Sequence, residues 1–363
     1  MLPTSLDAPG VSSGPLAWPG ARAMFDDAFD LTIERRVKYL WRLAATRRVR
    51  GRLLREIAGQ PAVEALFRAL PRVFYPVMNH LIDRRLDAQQ RLDTTLASLR
   101  VVCASVGDEA NVRGLLTHGV TLLELADRTR VVLSLNDVSF HEGLWQVALV
   151  GEDGVRLYSI GFGFTDAHTL LMGNVQGPSP KDEGLERIRD ATHAAHGMRP
   201  PHLLVHALRV LGVHWGVTRL RGVDPVHHVK GKWNLRDSRL RFDYRGFWAE
   251  HDGTRDESGN WSLPLGTALR PLEEVPTKRR AMYRRRYAML EALHLAVATL
   301  ADARHAPCAG TGLGRTGRTR RGCRQRVDAG AGADRLTRRL SLPRAPASRP
   351  RRLHRRSWSA VPR

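Results

Sequence analysis

Between Tyr158 and Phe164 the chain reads Tyr-Ser-Ile-Gly-Phe-Gly-Phe. Large apolar side chains fall at every second position, and Ser159, Gly161 and Gly163 lie between them. A period of two is that of an extended strand. On a helix the same residues would scatter around the axis, and the two glycines would weaken it. The stretch therefore reads as a strand with one aromatic face and one nearly bare face. A bare face admits another backbone or a ligand at close range.

The neighbouring segments continue this pattern. Val131, Leu133 and Leu135 alternate with Val132, Ser134 and Asn136, and residues 144–150 form a second apolar run. Gly151-Glu-Asp-Gly154 marks a hairpin turn, residues 155–164 return, and Asp166-Ala-His168 turns the chain into residues 169–175. Three or four antiparallel strands in series are expected. Gln176-Gly-Pro-Ser-Pro180 ends the run, and a helix over 182–196 stops at Gly197. Pro200 and Pro201 suit the first turn of the next helix, where a missing N–H costs nothing. Leu203, Leu204, Ala207, Leu208, Leu211 and Trp215 recur along it at helical spacing. A strand over 219–223 leads to the loop histidines His227 and His228. Residues 240–248 alternate again and are read as a strand, with Tyr244, Trp248 and Glu250 on one face and Asp243 on the other. Residues 261–264 close a hairpin-like excursion, and 277–303 form a last helix with Thr277 as N-cap.

The first third is helical in character. Residues 1–22 are rich in Pro, Gly and Ser and are expected to be a disordered leader. Helices are expected over 30–58, 61–70, 77–101 and 108–127, the first of them a solvated basic face. This divides the chain into a helical region over 23–128, a core over 129–305 and a tail over 306–363. The fold class is α+β, with a mainly antiparallel twisted sheet flanked by helices.

The formal charge of +22 suggests nucleic acid or an anionic membrane surface. Its distribution weakens that reading. Residues 306–363 hold 16 Arg, 2 Asp and no Lys, which leaves about +8 for the rest. That tail has no Ile, Phe, Tyr or Met and cannot bury enough apolar surface to order itself. It reads as the product of a shifted frame in a GC-rich gene, the alternative being a genuine basic tail for nucleic acid. Cys103, Cys308 and Cys323 have no metal or disulfide spacing. No secretory signal and no membrane span are expected, and a cytoplasmic location follows.

Arg199 precedes a helix N-terminus, where the dipole and free N–H groups favour an anion, and its guanidinium adds a forked donor. A salt bridge to an acidic neighbour is the plain alternative. With Gln176, Gly177 and Gly197 it forms the candidate cofactor-binding set. His228, Glu250 and Tyr244 are the candidate proton-transfer residues, set against packed aromatics, a surface carboxylate and an idle loop histidine. Lys278, Arg279, Arg280, Arg284, Arg285 and Arg286 crowd the start of the last helix, against its dipole. That cluster needs counter-anions, from core carboxylates or from a ligand.

Several segments resemble the bacterial VirK/YbjX family. They are Glu142-Gly143, Leu157-Tyr-Ser-Ile-Gly-Phe-Gly-Phe164, Gly173-Asn-Val-Gln-Gly177, His196-Gly-Met-Arg-Pro200, Gly222-Val-Asp-Pro-Val-His-His228, Asp243-Tyr-Arg-Gly-Phe-Trp248, Leu263-Pro264 and the run from Lys278 to Tyr287. They span residues 30–303 in order, with a departure at Asp224-Pro225, where the family more often has Ser-Asn. The resemblance implies a domain of unknown function linked to virulence and to antimicrobial-peptide resistance. The order of elements is also similar to that of GNAT-type N-acetyltransferases, where a bulged strand, a glycine turn and a pyrophosphate-binding helix precede another strand. The extra helix over 182–196 departs from that pattern. Two functions are expected: an acyltransferase-like enzyme using acyl-CoA, or a non-enzymatic binder of nucleic acid or lipid headgroups through the cluster from Lys278 to Arg286.

Overall fold

The computed structural model describes residues 14–25, 32–178, 184–231, 242–266 and 268–302. The tail over 306–363, and the expectation attached to it, lie outside the described residues.

Among the described residues seven α-helices precede the sheet: α1 (Ala21–Met24), α2 (Ile33–Ala45), α3 (Arg47–Ile57), α4 (Pro61–Ala69), α5 (Tyr75–Met78), α6 (Ala88–Ala104) and α7 (Glu109–His118). Residues 14–25 do not behave as the expected leader. The Trp18 ring lies 4.5 Å from that of Phe74, and Arg68 donates to the Gly14 carbonyl at 2.7 Å. An aromatic contact and an anchored backbone outweigh the disorder implied by composition. The run over 77–101 is not one helix. It breaks after Met78, and α6 starts afresh at Asp87, whose carboxylate accepts the Gln90 N–H while the Gln90 side chain accepts the Asp87 N–H. The stretch over 108–127 also divides. Asp108 caps α7, and Gly119 at φ +76° ends it. Residues Val120–Glu124 then enter the sheet as β1. A side chain at Gly119 would press on the Leu133 carbonyl oxygen at 2.6 Å, so glycine alone permits this exit.

The remaining strands are β2 (Arg130–Leu135), β3 (Trp145–Val150), β4 (Arg156–Asp166), β5 (Thr169–Gln176), β6 (Arg219–Gly222), β7 (Thr254–Arg255) and β8 (Trp261–Leu263). Among the described residues they form one sheet in the order β1-β2-β3-β4-β5-β6-β8-β7. β1 to β5 are an antiparallel series, and β6 runs parallel to β5. A parallel neighbour requires a crossover, here α8 (Gly184–Ala194) and α9 (Pro200–His214). The mainly antiparallel α+β class expected from the sequence is the one observed.

Both faces of β4 are filled by the chain itself. On the aromatic face Phe162 and Phe164 pack on Trp215 at 5.8 and 5.4 Å. The glycine face receives both side chains and backbone. On β4 a Cβ at Gly163 would lie 2.9 Å from the Ile82 side chain, and on the adjoining β5 one at Gly173 would lie 2.0 Å from the Glu142 carbonyl oxygen. Gly173 is also the extra residue where the register of β5 shifts against β4, a bulge. Ile82, Ser98 and Thr94 at Gly163, with Asn174, Asn136 and the Glu142 carbonyl at Gly161, occupy the bare face, so the close approach expected there is made by the chain's own side chains and backbone. One apolar core joins the helical region to the sheet, from Leu53, Phe67 and Val102 through Leu133 and Phe162 to Leu204 and Val297.

The stretch over 240–248 is not a strand where it is described. Asp243 accepts the Gly246 N–H at 3.0 Å and caps α10 (Tyr244–Glu250). Tyr244, Phe247 and Trp248 are buried at helical i, i+3, i+4 spacing. The alternation of large residues that suggested a strand is equally a one-sided helix, and the cap decides between them. The last helix, α11 (Thr277–Asp302), agrees with expectation to within one residue.

Candidate functional site

The parallel pairing of β5 and β6 ends at Met172 and Gly222, where the Val223 N–H still reaches the Met172 carbonyl at 3.0 Å. Beyond it the register of bonds stops, and α10 supplies what fills the opening. Trp248 lies against Gly222 and donates its Nε1–H to the Val223 carbonyl at 3.0 Å. The Tyr244 hydroxyl accepts the Val175 N–H at 3.3 Å, and burial pushes this phenol up. The fully buried His228 ring lies beside Tyr244, centroids 5.6 Å apart.

His228 belongs to a buried ionic cluster whose centre is Glu142. Lys230 Nζ reaches Glu142 Oε2 at 2.6 Å, Asn174 Nδ2 lies 3.5 Å from the same oxygen, and His228 Nε2 is 3.4 Å from Oε1. Burial works against the charge on Glu142, but Lys230, Ser139 and His228 together hold the carboxyl below the usual carboxylate range. The Lys230 N–H donates to His228 Nδ1 at 3.0 Å. That bond makes Nδ1 an acceptor and leaves the proton on Nε2, facing Glu142. Burial lowers His228 to about 4, against the opposing pull of Glu142. The ring is thus neutral, fixed in one tautomer and closed to solvent.

A second network fixes the loop that carries it. Asp224, fully buried, accepts from the Val226 N–H at 3.0 Å and from Trp261 Nε1 at 3.1 Å, and Arg255 stands 3.2 Å away. Asn260 bridges, accepting the Asp224 N–H and donating to Asp83 at 3.0 Å. The His227 carbonyl accepts the Arg84 N–H at 2.8 Å. Asp224 is therefore the buried anchor of this turn.

A cleft of about 470 Å³ lies between α8, the start of α9 and α10. Tyr158, Thr192, Arg199, His202, Asp243 and Glu250 supply its polar groups. Arg199 donates to Glu250 at 2.6 Å, and His202 Nε2 is 3.2 Å from the same carboxylate. His202 is held below its ordinary value by burial and by Arg199, and burial takes its neighbour His251 down to about 3. The cleft therefore combines a cation, a carboxylate and a neutral imidazole. The expected free N–H groups at the α9 N-terminus are absent from its described first turn. Pro200 and Pro201 have none, and the N–H groups of His202 and Leu203 return to the Arg199 carbonyl at 3.0 and 3.1 Å. Any anion there meets a guanidinium and a helix dipole rather than a row of amides.

The sequence-derived residues fall into separate places. Arg199 and Glu250 line the cleft together. Gly177 packs under the Tyr158 ring, where a Cβ would come within 2.6 Å, and exposed Gln176 pairs with Ser159 at the strand end. Tyr244 and His228 lie in the buried cluster, with α10 connecting the two regions. Gly197 ends α8 with φ +76° and its N–H on the Thr192 carbonyl at 2.8 Å, facing Met282 and Arg286 of α11. Two of the six cations on α11 need no anion. Arg280 donates to the Val275 and Glu273 carbonyls, and Arg286 donates to that of His196. Lys278, Arg279, Arg284 and Arg285 are exposed. Glu142, Lys230, Asn174 and His202 were not among the residues expected at the site from sequence. The resembling segments Glu142-Gly143 and Gly173-Asn-Val-Gln-Gly177 held the available signals, for Glu142 and Asn174.

Among the described residues no three His, Cys, Asp or Glu side chains are grouped to hold a metal, and no helix is long and apolar enough to cross a membrane.

The fold and site define an α+β protein in which a buried Glu-His-Lys cluster backs onto a polar surface cleft. The chain belongs to the family described as protein of unknown function, DUF535, whose model matches residues 31–299. It is 32% identical over 225 residues to an uncharacterized protein of Haemophilus influenzae, covering 62% of this chain and 76% of that one. It is 25% identical over 274 residues to the uncharacterized protein YbjX of Escherichia coli, covering 73% and 83%, in keeping with the VirK/YbjX resemblance. Identity to membrane protein LapB of Mannheimia haemolytica is 27% over 175 residues, covering 48% and 76%. No solved structure gives a significant match.

Proposed function

We propose that the cleft between α8, α9 and α10 binds an anionic acyl donor, such as an acyl-CoA, and passes its acyl group to an amine or hydroxyl acceptor. The observation that carries this reading is the placing of Arg199, Glu250 and His202 around one cleft at the start of the crossover helix. Fold-level analogy supports it: the bulge at Gly173, the glycine exit at Gly177, the helical crossover and the parallel return of β6 follow the order of elements in N-acetyltransferases. Arg199 grips a phosphate of the donor. Its pair with Glu250 has both side chains about half exposed, and such pairs contribute only about 0–1 kcal/mol, so a phosphate displaces the carboxylate readily.

Glu250, once released, takes the proton from the acceptor as its nitrogen or oxygen bonds to the thioester carbonyl carbon. The C–S bond then breaks, and the thiolate recovers that proton through Glu250 or the adjacent His202. Buried His228 and Tyr244 hold the ends of β5 and β6 and take no proton. Coenzyme A should raise the melting temperature, and Arg199→Ala should remove the shift. Glu250→Gln should keep the shift but lose acyl transfer, followed as thiol release from acetyl-CoA with a panel of amines. A melting temperature indifferent to coenzyme A and its acyl esters would sink the proposal.

A second reading, a non-enzymatic anion binder, is favoured by the exposure of Lys278, Arg279, Arg284 and Arg285 at one helix start. Binding of nucleic acid or anionic headgroups there should weaken steeply with salt and with charge reversal at those four positions. Unchanged affinity in the reversed variant removes it.

A further inference from the structure

α2 exposes the wrong side chains for a helix that faces only water. Ile33, Val37, Leu40 and Trp41 are 81%, 59%, 60% and 70% exposed. Their spacing of four, three and one residues puts them on one stripe of the helix, with exposed Ala44 extending it. The helix is nonetheless firmly seated by its other side. Tyr39 is 3% exposed, Arg42 donates to the Tyr75 hydroxyl at 3.0 Å, and Arg50 of α3 donates to the Leu43 carbonyl at 2.9 Å. A helix fixed on one face, with four large apolar side chains in water on the other, carries a patch that soluble surfaces rarely keep without use.

The charge around the patch selects the occupant. Residues 33–57 contain nine Arg or Lys and two Glu, a surplus of seven positive charges in two successive helices. Exposed Arg36 flanks the stripe, and exposed Arg47 and Arg48 continue from its end. A second copy of the same face would bring like charge against like. The Arg-rich residues beyond 303 carry the same sign. Hydrocarbon contact framed by cations is what the headgroup region of an anionic bilayer accepts.

We propose that α2 is a membrane-docking helix. It lies in the plane of a bilayer rich in anionic phospholipid, with Ile33, Val37, Leu40 and Trp41 inserted below the phosphates and the flanking arginines on them. At 1.5 Å per residue α2 is about 20 Å long. It lies flat on the surface and does not span it. This site is independent of the α9 cleft, so either can fail alone.

The test uses the full-length chain with vesicles of phosphatidylcholine containing about one-third phosphatidylglycerol. Bromine-labelled acyl chains should quench Trp41, and Trp41→Phe should remove that part of the quenching. Leu40→Asp, and Val37→Gln as a milder change, should lower partitioning about tenfold while leaving the melting temperature unchanged. Both positions are exposed in the free protein, so the fold does not depend on them. Binding equal in wild type and both variants, or quenching untouched by Trp41→Phe, would place the contact elsewhere and overturn the proposal. So would a wild-type dimer in light scattering that Leu40→Asp converts to monomer, because the face would then bind a second copy.

Discussion

Acidification should destabilise this protein well before its carboxylates titrate, because two fully or nearly buried histidines are folded in the neutral form. Burial places His228 at about 4 and His251 at about 3, against an ordinary value of 6.5. The unfolded chain takes up protons on these residues as the pH falls through 6.5, whereas the folded chain holds them neutral until about 4. Stability is therefore complete above the unfolded value and is lost as the pH falls toward the folded one. Between pH 7 and pH 5 the linkage amounts to about 2 kcal/mol per histidine, or about 4 kcal/mol together. His206, also lowered to about 4 by burial, adds in the same direction. Glu142, Asp83 and Asp224 are held below the usual carboxylate range. Their contribution is lost only at lower pH and leaves this window clean. Urea unfolding followed by tryptophan fluorescence at pH 7, 6 and 5 measures the loss directly. His228→Gln, which cannot take the proton, should reduce the drop by about a third, since three histidines contribute. Equal stability at pH 7 and pH 5, or a full drop in the variant, would refute the assignment of a neutral buried ring.

Other substitutions test the packing around the same cluster. Gly173→Ala sets a Cβ 2.0 Å from the Glu142 carbonyl and should cost about 2–3 kcal/mol. Gly114→Ala, in open space within α7, should be neutral or stabilise by up to about 1 kcal/mol. Equal effects on the denaturation midpoint would contradict the close approach. Lys230→Met strands the Glu142 carboxylate; with Lys230 44% exposed, the loss is discounted to about 2 kcal/mol. Adding Glu142→Gln should recover part of that loss in a double-mutant cycle, and additive effects would show that the two residues are not coupled.

The sheet was legible because its signals are local. Alternation from Arg130 to Gln176, the turn at Gly151 and Gly154, and the glycine punctuation at Gly177 and Gly197 all act within a few residues. The misread elements had competing local signals. Residues 240–248 alternate as a strand would, but Asp243 caps a helix and the aromatic residues then fall on one side of it. Gly119, inside an apolar run of helical appearance, turns the chain into β1. The site was legible only in part, since its partners are far apart in sequence. Lys230 and Glu142 are separated by 88 residues, and Arg199 and Glu250 by 51. No local pattern records such pairings. The bare face of β4 was read correctly as a place of close approach, but composition could not say that Ile82, Ser98, Asn136 and the Glu142 carbonyl would fill it. The exposed stripe on α2 was equally hidden, since a helical period of apolar residues looks the same whether it faces the core or water.

Whether the Arg199 cleft receives the proposed anionic acyl donor is decided by titration calorimetry with a non-hydrolysable acetyl-CoA analogue. The expected result is one site per chain in physiological salt, lost in Arg199→Ala and retained when Lys278, Arg279, Arg284 and Arg285 are changed to alanine. Absence of binding, or binding that survives Arg199→Ala and disappears with the α11 cations, would contradict the proposal.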